Sequence, residues 1–339
     1  MTHARQQKIK VKLINRGRAG ILCSSQFPGQ SHSWGNCEFH FSLTERNYDW
    51  LVVIDDISRQ HNALPEVLAC ADEHTLLITS EPPTITHYGN AFTGQFEHVL
   101  TSQDEQSLPH RNRLYSHTGN LWFNGHNYGE IQKINFNDKT QKISTVCSSK
   151  QQRHTIHKAR FEFTDWLKAQ IPELEIFGHG VRAIKQKYSA LDSFRFHLAI
   201  ENHIAPHHWT EKLADPFLSG ALPIYYGCSN IGDYFPADSY LAIDINKPDE
   251  ALQKIDELIN DPLEYVKRVD ALKESQQLVL NEYNLIAMVD RIVSENYTPG
   301  RTTSQRPLYG RKQMRIRNPS DLVSHLNWGA KMVLRSWSK

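Results

Sequence analysis

The stretch from Phe194 to Gly227 limits what this chain can fold into more than any other. Phe196 to Ile200 is a short apolar run of the length of a buried strand. Glu201 and Asn202 stand where that strand would end. A loop carrying His203, His207 and His208 follows, then Thr210, a helix N-cap candidate, with acidic Glu211 in the first turn. Gly220 closes the helix, and Leu222 to Tyr226 is a second buried strand ending at Gly227. This order is strand, loop, helix, strand: the βαβ unit of an open parallel sheet. Such sheets bind ligands beyond the carboxyl ends of their strands, near helix N-termini. Glu201, Asn202, Glu211 and Lys212 fall on that edge. A helix N-terminus with a lysine suits a diphosphate, and a carboxylate there accepts hydrogen bonds from sugar hydroxyls. The residues alone read as a nucleotide or sugar-phosphate pocket, or equally as a turn followed by a solvated first helical turn.

The same residues resemble a known pattern. Glu201-Asn202, then Thr210-Glu211-Lys212, then Ser219-Gly220-x-x-Pro223-Ile224-x-x-Gly227 is similar to the donor-binding motif of the α1,3/4-fucosyltransferases, glycosyltransferase family 10. The match is long and ordered, covering Cys147 to Tyr297 well and Lys8 to Ser102 weakly. Two positions depart from the pattern. Ile200 replaces a usual Phe, and His208 stands where the family has a donor-contacting Tyr, so the base or sugar preference could differ.

At 339 residues, with 39% hydrophobic and 22% charged residues, the chain suits a soluble protein of two domains. No apolar run is long enough to span a bilayer. Met1 to Lys12 lacks the apolar middle of a signal peptide. Five cysteines, widely spread, argue for a reducing compartment, hence a cytoplasmic location. From Arg301 onward there are nine basic residues and one acid, which leaves 29 basic and 36 acidic residues in the body. That local asymmetry is not a nucleic-acid surface. After Asn318-Pro319-Ser320-Asp321, a helix start, apolar residues recur at near-helical spacing with Lys331, Arg335 and Lys339 among them. This tail helix, 318–339, would lie peripherally on the inner face of a membrane, dock on the body, or pair with another copy. Oligomeric state is not legible.

Along the chain, strands are expected at Lys8–Ile14, Trp50–Ile54, Thr75–Thr79, Phe96–Ser102, Ile143–Cys147 and Leu174–Phe177, and a short helix at Pro65–Ala71. Asp104 to Phe123 reads as a polar connection. Helices are expected at His157–Ala169, Asp249–Asn260, Pro262–Leu280 and Leu285–Tyr297. Asp55-Asp56 could hold a divalent metal, but with no third carboxylate spaced to help it reads rather as the cap of the next turn. Glu81 follows a strand and precedes two prolines that stiffen its loop. It is either a surface glutamate or, as a rigid carboxylate at a sheet edge, a general-base candidate. Lys185 and Lys187 read as solvated. His203, His207 and His208 cluster, with His154 and His157 elsewhere; they read as a metal site or, as loop histidines at this spacing more often do, as binding nothing, and no metal ligands are assigned.

The resemblance implies a GT-B architecture, two Rossmann-like domains facing a cleft. The domains would be an acceptor-binding domain over 1–142 and a donor-binding domain over 143–299, followed by a basic tail over 300–339. It implies inverting transfer of fucose from GDP-fucose to a glycan hydroxyl in an α1,3-type linkage. Glu81, in Thr79-Ser80-Glu81, falls where the family has its base, and a carboxylate of ordinary pKa ~4.3 is ionised near neutrality. Arg160, spaced from Phe163 and Leu167 as in the family, would join Lys212 on the leaving diphosphate. Glu201, Asn202, His208 and Glu211 would contact the donor. These cations remove the need for a metal cofactor, with stimulation by a divalent ion left open. A different nucleotide sugar, or a non-catalytic sugar-nucleotide or glycan-binding protein, are the alternatives.

Overall fold

The computed structural model describes residues 7–15, 24–57, 65–119, 121–148 and 155–337. The strands in chain order are β1 (Ile9–Asn15), β2 (Ser33–Trp34), β3 (Cys37–His40), β4 (Trp50–Ile54), β5 (Glu66–Val67), β6 (Thr75–Thr79), β7 (His98–Thr101), β8 (Arg113–Tyr115), β9 (Gln141–Val146), β10 (Glu175–Phe177), β11 (Phe194–Ile200), β12 (Leu222–Tyr226), β13 (Leu241–Ala242) and β14 (Pro307–Leu308). The helices are α1 (Asn90–Thr93), α2 (Tyr128–Ile131), α3 (His157–Gln170), α4 (Glu211–Leu218), α5 (Pro248–Asn260), α6 (Glu264–Lys267), α7 (Val269–Asn281), α8 (Leu285–Asn296), α9 (Arg311–Arg317) and α10 (Pro319–Trp337).

The chain divides into two compact units. The first holds the residues up to Gly119 together with Leu285–Lys331, and the second holds 120–284 with the stretch from Met332. The first unit is built on a sheet of order β2-β3-β1-β4-β6-β7-β8, parallel except for the β2–β3 pair. The second has a wholly parallel sheet of order β10-β9-β11-β12-β13. Each is the Rossmann-like layer expected of a GT-B chain. Every residue of β4 and β6 is buried, as continuous apolar runs in a parallel sheet covered on both faces should be. In the second unit Phe196, Leu198 and Ile224 pack against Leu213 and Phe217 of α4 and Leu272, Val279 and Leu280 of α7.

The observed units place 120–142 with the second sheet, whereas the sequence boundary at 142/143 gave that stretch to the first domain. Trp122, Ile131 and Phe136 belong to the second unit's core. Likewise α8 packs with the first unit, where Asp290 Oδ1 accepts from the backbone N–H of Asn36 and Cys37 at 2.8 and 3.1 Å. The residues from 300 are partly woven into the first unit as β14 and α9.

Two expectations for local structure are corrected. Pro65–Ala71 is not a helix: β5 pairs antiparallel with β14, some 240 residues away. Glu66 is buried there against Lys12, its carboxylate 2.7 Å from Nζ, a non-local contact that overrides local propensity. The polar connection 104–123 contains β8, an edge strand on β7.

Candidate functional site

In the second unit the carboxyl ends of β9 and β11 and the N-termini of α3 and α4 surround a pocket of about 240 Å³. Thr210 caps α4, its hydroxyl accepting from the Lys212 backbone N–H at 3.3 Å. Glu201, fully buried at the end of β11, accepts from the Thr210 N–H at 2.8 Å and from its hydroxyl at 2.7 Å. It therefore fixes the loop that leads into α4 and stands 3.6 Å from Lys212 Nζ. It holds the helix N-terminus in place and is not among the residues lining the pocket.

Arg160, Asn202, Glu211 and Lys212, four of the residues singled out in the sequence, do line it. Arg160 is buried, with its Nη1 3.5 Å from the Ile200 carbonyl and its Nε making no hydrogen bond. Asn202 Oδ1 is also buried without a hydrogen bond. A buried guanidinium and amide with unmet capacity are costly unless a ligand completes them. Lys212 Nζ lies 3.1 Å from Glu211 Oε1. Burial alone would lower the Lys212 pKa, but Glu211 and Glu201 beside it raise it. Burial alone would raise that of Glu211, but Lys212 and Lys187 hold it down to about 2. Both are charged near neutrality.

Lys187, expected to be solvated, lines this pocket instead. It pairs with buried Asp215 at 2.8 Å and stands 3.9 Å from Glu211. Asp215 lies one helical turn after Glu211 on α4, so the pair straps the 187 loop to that helix. Its pKa is raised, burial being outweighed by Asp215 and Glu211. Nothing local in the sequence distinguished Lys187 from Lys185. The i,i+4 spacing of Glu211 and Asp215 was the available signal for a cation partner.

His197 was also missed. It is buried on β11 and its Nδ1 is 2.8 Å from Ser144 Oγ. That hydroxyl gives its single proton to the Ala190 carbonyl, so His197 Nδ1 must be the donor to it. Burial, with a smaller push from Lys187, drives its pKa down to about 3. The ring is neutral, with Nε2 left as an acceptor on a residue that lines the pocket.

His208 is placed elsewhere. It is buried, its ring edge-on to His203 at 5.2 Å, and it is not among the residues lining the pocket. Burial, and then His203, push its pKa to about 3. The next residue, Trp209, is anchored among Tyr234, Phe235 and Tyr283. Among the described residues no group of three or more His, Cys, Asp or Glu is arranged to hold a metal ion.

Glu81 lies in the first unit, exposed, just past the end of β6. Its carbonyl accepts from Gln103 Nε2 at 2.8 Å. The preceding residue, Ser80, donates its N–H to Asp55 at 2.8 Å, and Tyr88 donates its hydroxyl to the same carboxylate. Asp55 thus ties the end of β4 to the loop of Glu81. Its neighbour Asp56 accepts from the Ile57 N–H at 3.0 Å and also binds Arg311, while the turn it was expected to cap runs into residues outside those described.

Comparison with known proteins agrees with the motif reading. Residues 136–279 match the family model described as Glycosyltransferase family 10 (fucosyltransferase) C-term. A mouse protein named 4-galactosyl-N-acetylglucosaminide 3-alpha-L-fucosyltransferase 9 is 35% identical over 103 residues, 30% of this chain and 25% of that protein. A zebrafish protein named GDP-fucose protein O-fucosyltransferase 3 is 37% identical over 83 residues, 24% of this chain and 16% of that protein. The chain therefore spans about a quarter or less of the curated relatives it matches. A crystal structure of an α1,3-fucosyltransferase with GDP superimposes with a TM-score of 0.51 and 18% identity, over 88% of this chain and 93% of that one. The resemblance to glycosyltransferase family 10 is shown for residues 136–279, and the fold for most of the chain.

Proposed function

We propose that the protein is an inverting glycosyltransferase that transfers L-fucose from GDP-fucose to a hydroxyl of a glycan acceptor. The observation that carries this reading is the convergence of Arg160, Lys187 and Lys212 on one pocket at two helix N-termini, a setting for a nucleotide diphosphate. Arg160 and Lys212 repel one another electrostatically, and an anion between them relieves that repulsion. Asn202, Glu211 and His197 Nε2 offer acceptors to ribose or sugar hydroxyls.

In the reaction the acceptor oxygen attacks the anomeric carbon while the bond from that carbon to the diphosphate breaks. Glu81 takes the proton from the acceptor hydroxyl, and the negative charge that builds on the diphosphate falls to Arg160, Lys187 and Lys212. The family match over 136–279 and the fucosyltransferase names of the relatives support GDP-fucose as donor. Cys37, Cys70, Cys147 and Cys228 are buried free thiols, which supports a reducing, cytoplasmic setting. Leu322, Val323, Leu326, Val333 and Leu334 are exposed on α10, which supports peripheral membrane contact. Among the described residues no helix is long and apolar enough to cross a membrane.

Calorimetry with GDP-fucose, GDP-mannose, UDP-galactose and UDP-N-acetylglucosamine tests the donor. Selective GDP-fucose binding, weakened by Arg160→Ala, Lys212→Ala and Lys187→Ala, is expected. Glu81→Gln should abolish transfer while keeping donor affinity; full transfer by that variant would remove Glu81 from the mechanism, and preference for a UDP-sugar would remove fucose.

A further inference from the structure

Asp321, Ser324, His325 and Trp328 recur on α10 at helical spacing, so they share one side of it. All four meet the segment that follows Glu81, within the first unit. Asp321 accepts from the Ala91 and Phe92 N–H groups at 3.0 and 3.1 Å, in the first turn of α1. A Cβ on Gly89 would collide with that carboxylate, so the helix is seated close against the chain. His87 Nε2 lies 2.9 Å from Ser324 Oγ. The Ser324 hydroxyl gives its proton to the Asp321 carbonyl at 3.1 Å, so His87 is the donor to it. The rings of His87, His325 and Trp328 lie within 20° of parallel, with centroids 5.6 to 6.4 Å apart. Trp328 Nε1 donates to the Pro83 carbonyl at 2.7 Å, two residues after Glu81. Leu322, Val323 and Leu326 are exposed on the other side of the helix.

Glu81 is thereby held from both sides. Before it, Ser80 gives its N–H and its hydroxyl to the Asp55 carboxylate. Asp55 itself holds φ +63°, a conformation that a non-glycine residue keeps only where its contacts fix it. At the residue, Gln103 Nε2 donates to the Glu81 carbonyl at 2.8 Å. After it the chain turns: the Pro82 carbonyl accepts from the Ile85 and Thr86 N–H groups at 2.9 and 3.0 Å, and Trp328 pins that turn at Pro83. The ring of each proline fixes its own φ, so Pro82 and Pro83 transmit the restraint back toward Glu81. A carboxylate acts as a base only while its oxygen stays within hydrogen-bond reach of the hydroxyl it deprotonates, and small displacements are costly to rate. A loop pinned at Ser80, Glu81 and Pro83 serves that need.

We propose that Trp328 is a positioning residue for Glu81, and that α10 braces the Glu81 loop: the indole N–H holds Pro83, and the Pro82-Pro83 step carries that hold to the carboxylate. The role rests on the glycosyl-transfer reading, in which Glu81 is the base.

The test uses the full chain and GDP-fucose alone, with water as the acceptor. Water attacks the anomeric carbon, the bond from that carbon to the diphosphate breaks, Glu81 takes the proton, and fucose and GDP are released. Trp328→Phe keeps a ring in the stack and removes only the N–H. It should lower kcat for GDP release about tenfold, the worth of one hydrogen bond, with KM for GDP-fucose and the thermal midpoint unchanged. Hydrogen exchange at the Ile85 and Thr86 N–H groups should quicken by about the same factor. In a Glu81→Gln background Trp328→Phe should cost nothing more, because it acts through that carboxylate. Leu326→Ser, on the exposed side of α10, should leave rate and exchange at parental values. Unchanged exchange in Trp328→Phe overturns the brace whatever the activity, and faster exchange with a parental rate overturns the positioning role. A further loss in the Glu81→Gln background, or an equal loss in Leu326→Ser, overturns it too. A parental rate in Glu81→Gln alone instead faults the transfer reading at Glu81, and the positioning role falls with it.

Discussion

His197 should give the second unit's pocket an acid-sensitive neutral histidine, with its proton on Nδ1. The ring is 5% exposed, and its pKa falls from 6.5 to about 3 because burial disfavours the cation. The unfolded chain takes up this proton as pH falls through 6.5, whereas the folded chain does so only near 3. Stability is therefore fully present above 6.5 and is lost steadily as pH falls from 6.5 toward 3. Each pH unit costs about 1.4 kcal/mol, so this one ring should account for about 2 kcal/mol between pH 7 and pH 5. His197→Gln keeps a donor for Ser144 and does not titrate, so its second-unit unfolding should lose about that much less over the same interval. The direct assay is the ¹⁵N-histidine spectrum: His197 should remain neutral at pH 5 with hydrogen on Nδ1. A ring that titrates near 6.5, or that carries hydrogen on Nε2, would refute both the burial argument and the acceptor role of Nε2.

Two further outcomes follow from the geometry. Asp321→Ala removes a carboxylate that is 2% exposed and accepts two backbone N–H groups; bonds to a charged acceptor are worth about 1.5–3 kcal/mol each, so hydrogen exchange at α1 and proteolysis at the start of α10 should rise sharply, and unchanged protection would mean that α10 is held by its apolar contacts alone. Gly178 sits at φ +138°, and a Cβ there would meet the Cys147 carbonyl oxygen at 2.4 Å; Gly178→Ala should destabilise the second unit by about 2 kcal/mol or more, read as a lower unfolding midpoint, and a midpoint within error of the parent would show that the turn can relax.

What the sequence made legible was whatever is written at fixed spacing along the chain. Phe196–Ile200, Thr210 and Leu222–Tyr226 specify a strand, a cap and a strand through local rules, and the βαβ unit with its ligand edge appeared where those rules put it. Arg160, Asn202, Glu211 and Lys212 come together at one pocket because the edge is a property of topology. The misses share another cause. Lys187 and His197 acquire their roles from partners brought by folding: Asp215 28 residues on, Ser144 53 residues back. Glu66 became a strand residue because Lys12 and β14 reached it from both ends of the chain. His208 shows the converse. Its place in the motif suggested a ligand contact; it does not line the pocket, and its loop is held on both sides, by Trp209 seated among Tyr234, Phe235 and Tyr283 and by Glu201 on Thr210. Lys187 and His197 line the pocket and His208 does not, so substitutions at Lys187 and His197 should change what the pocket binds more than one at His208 does.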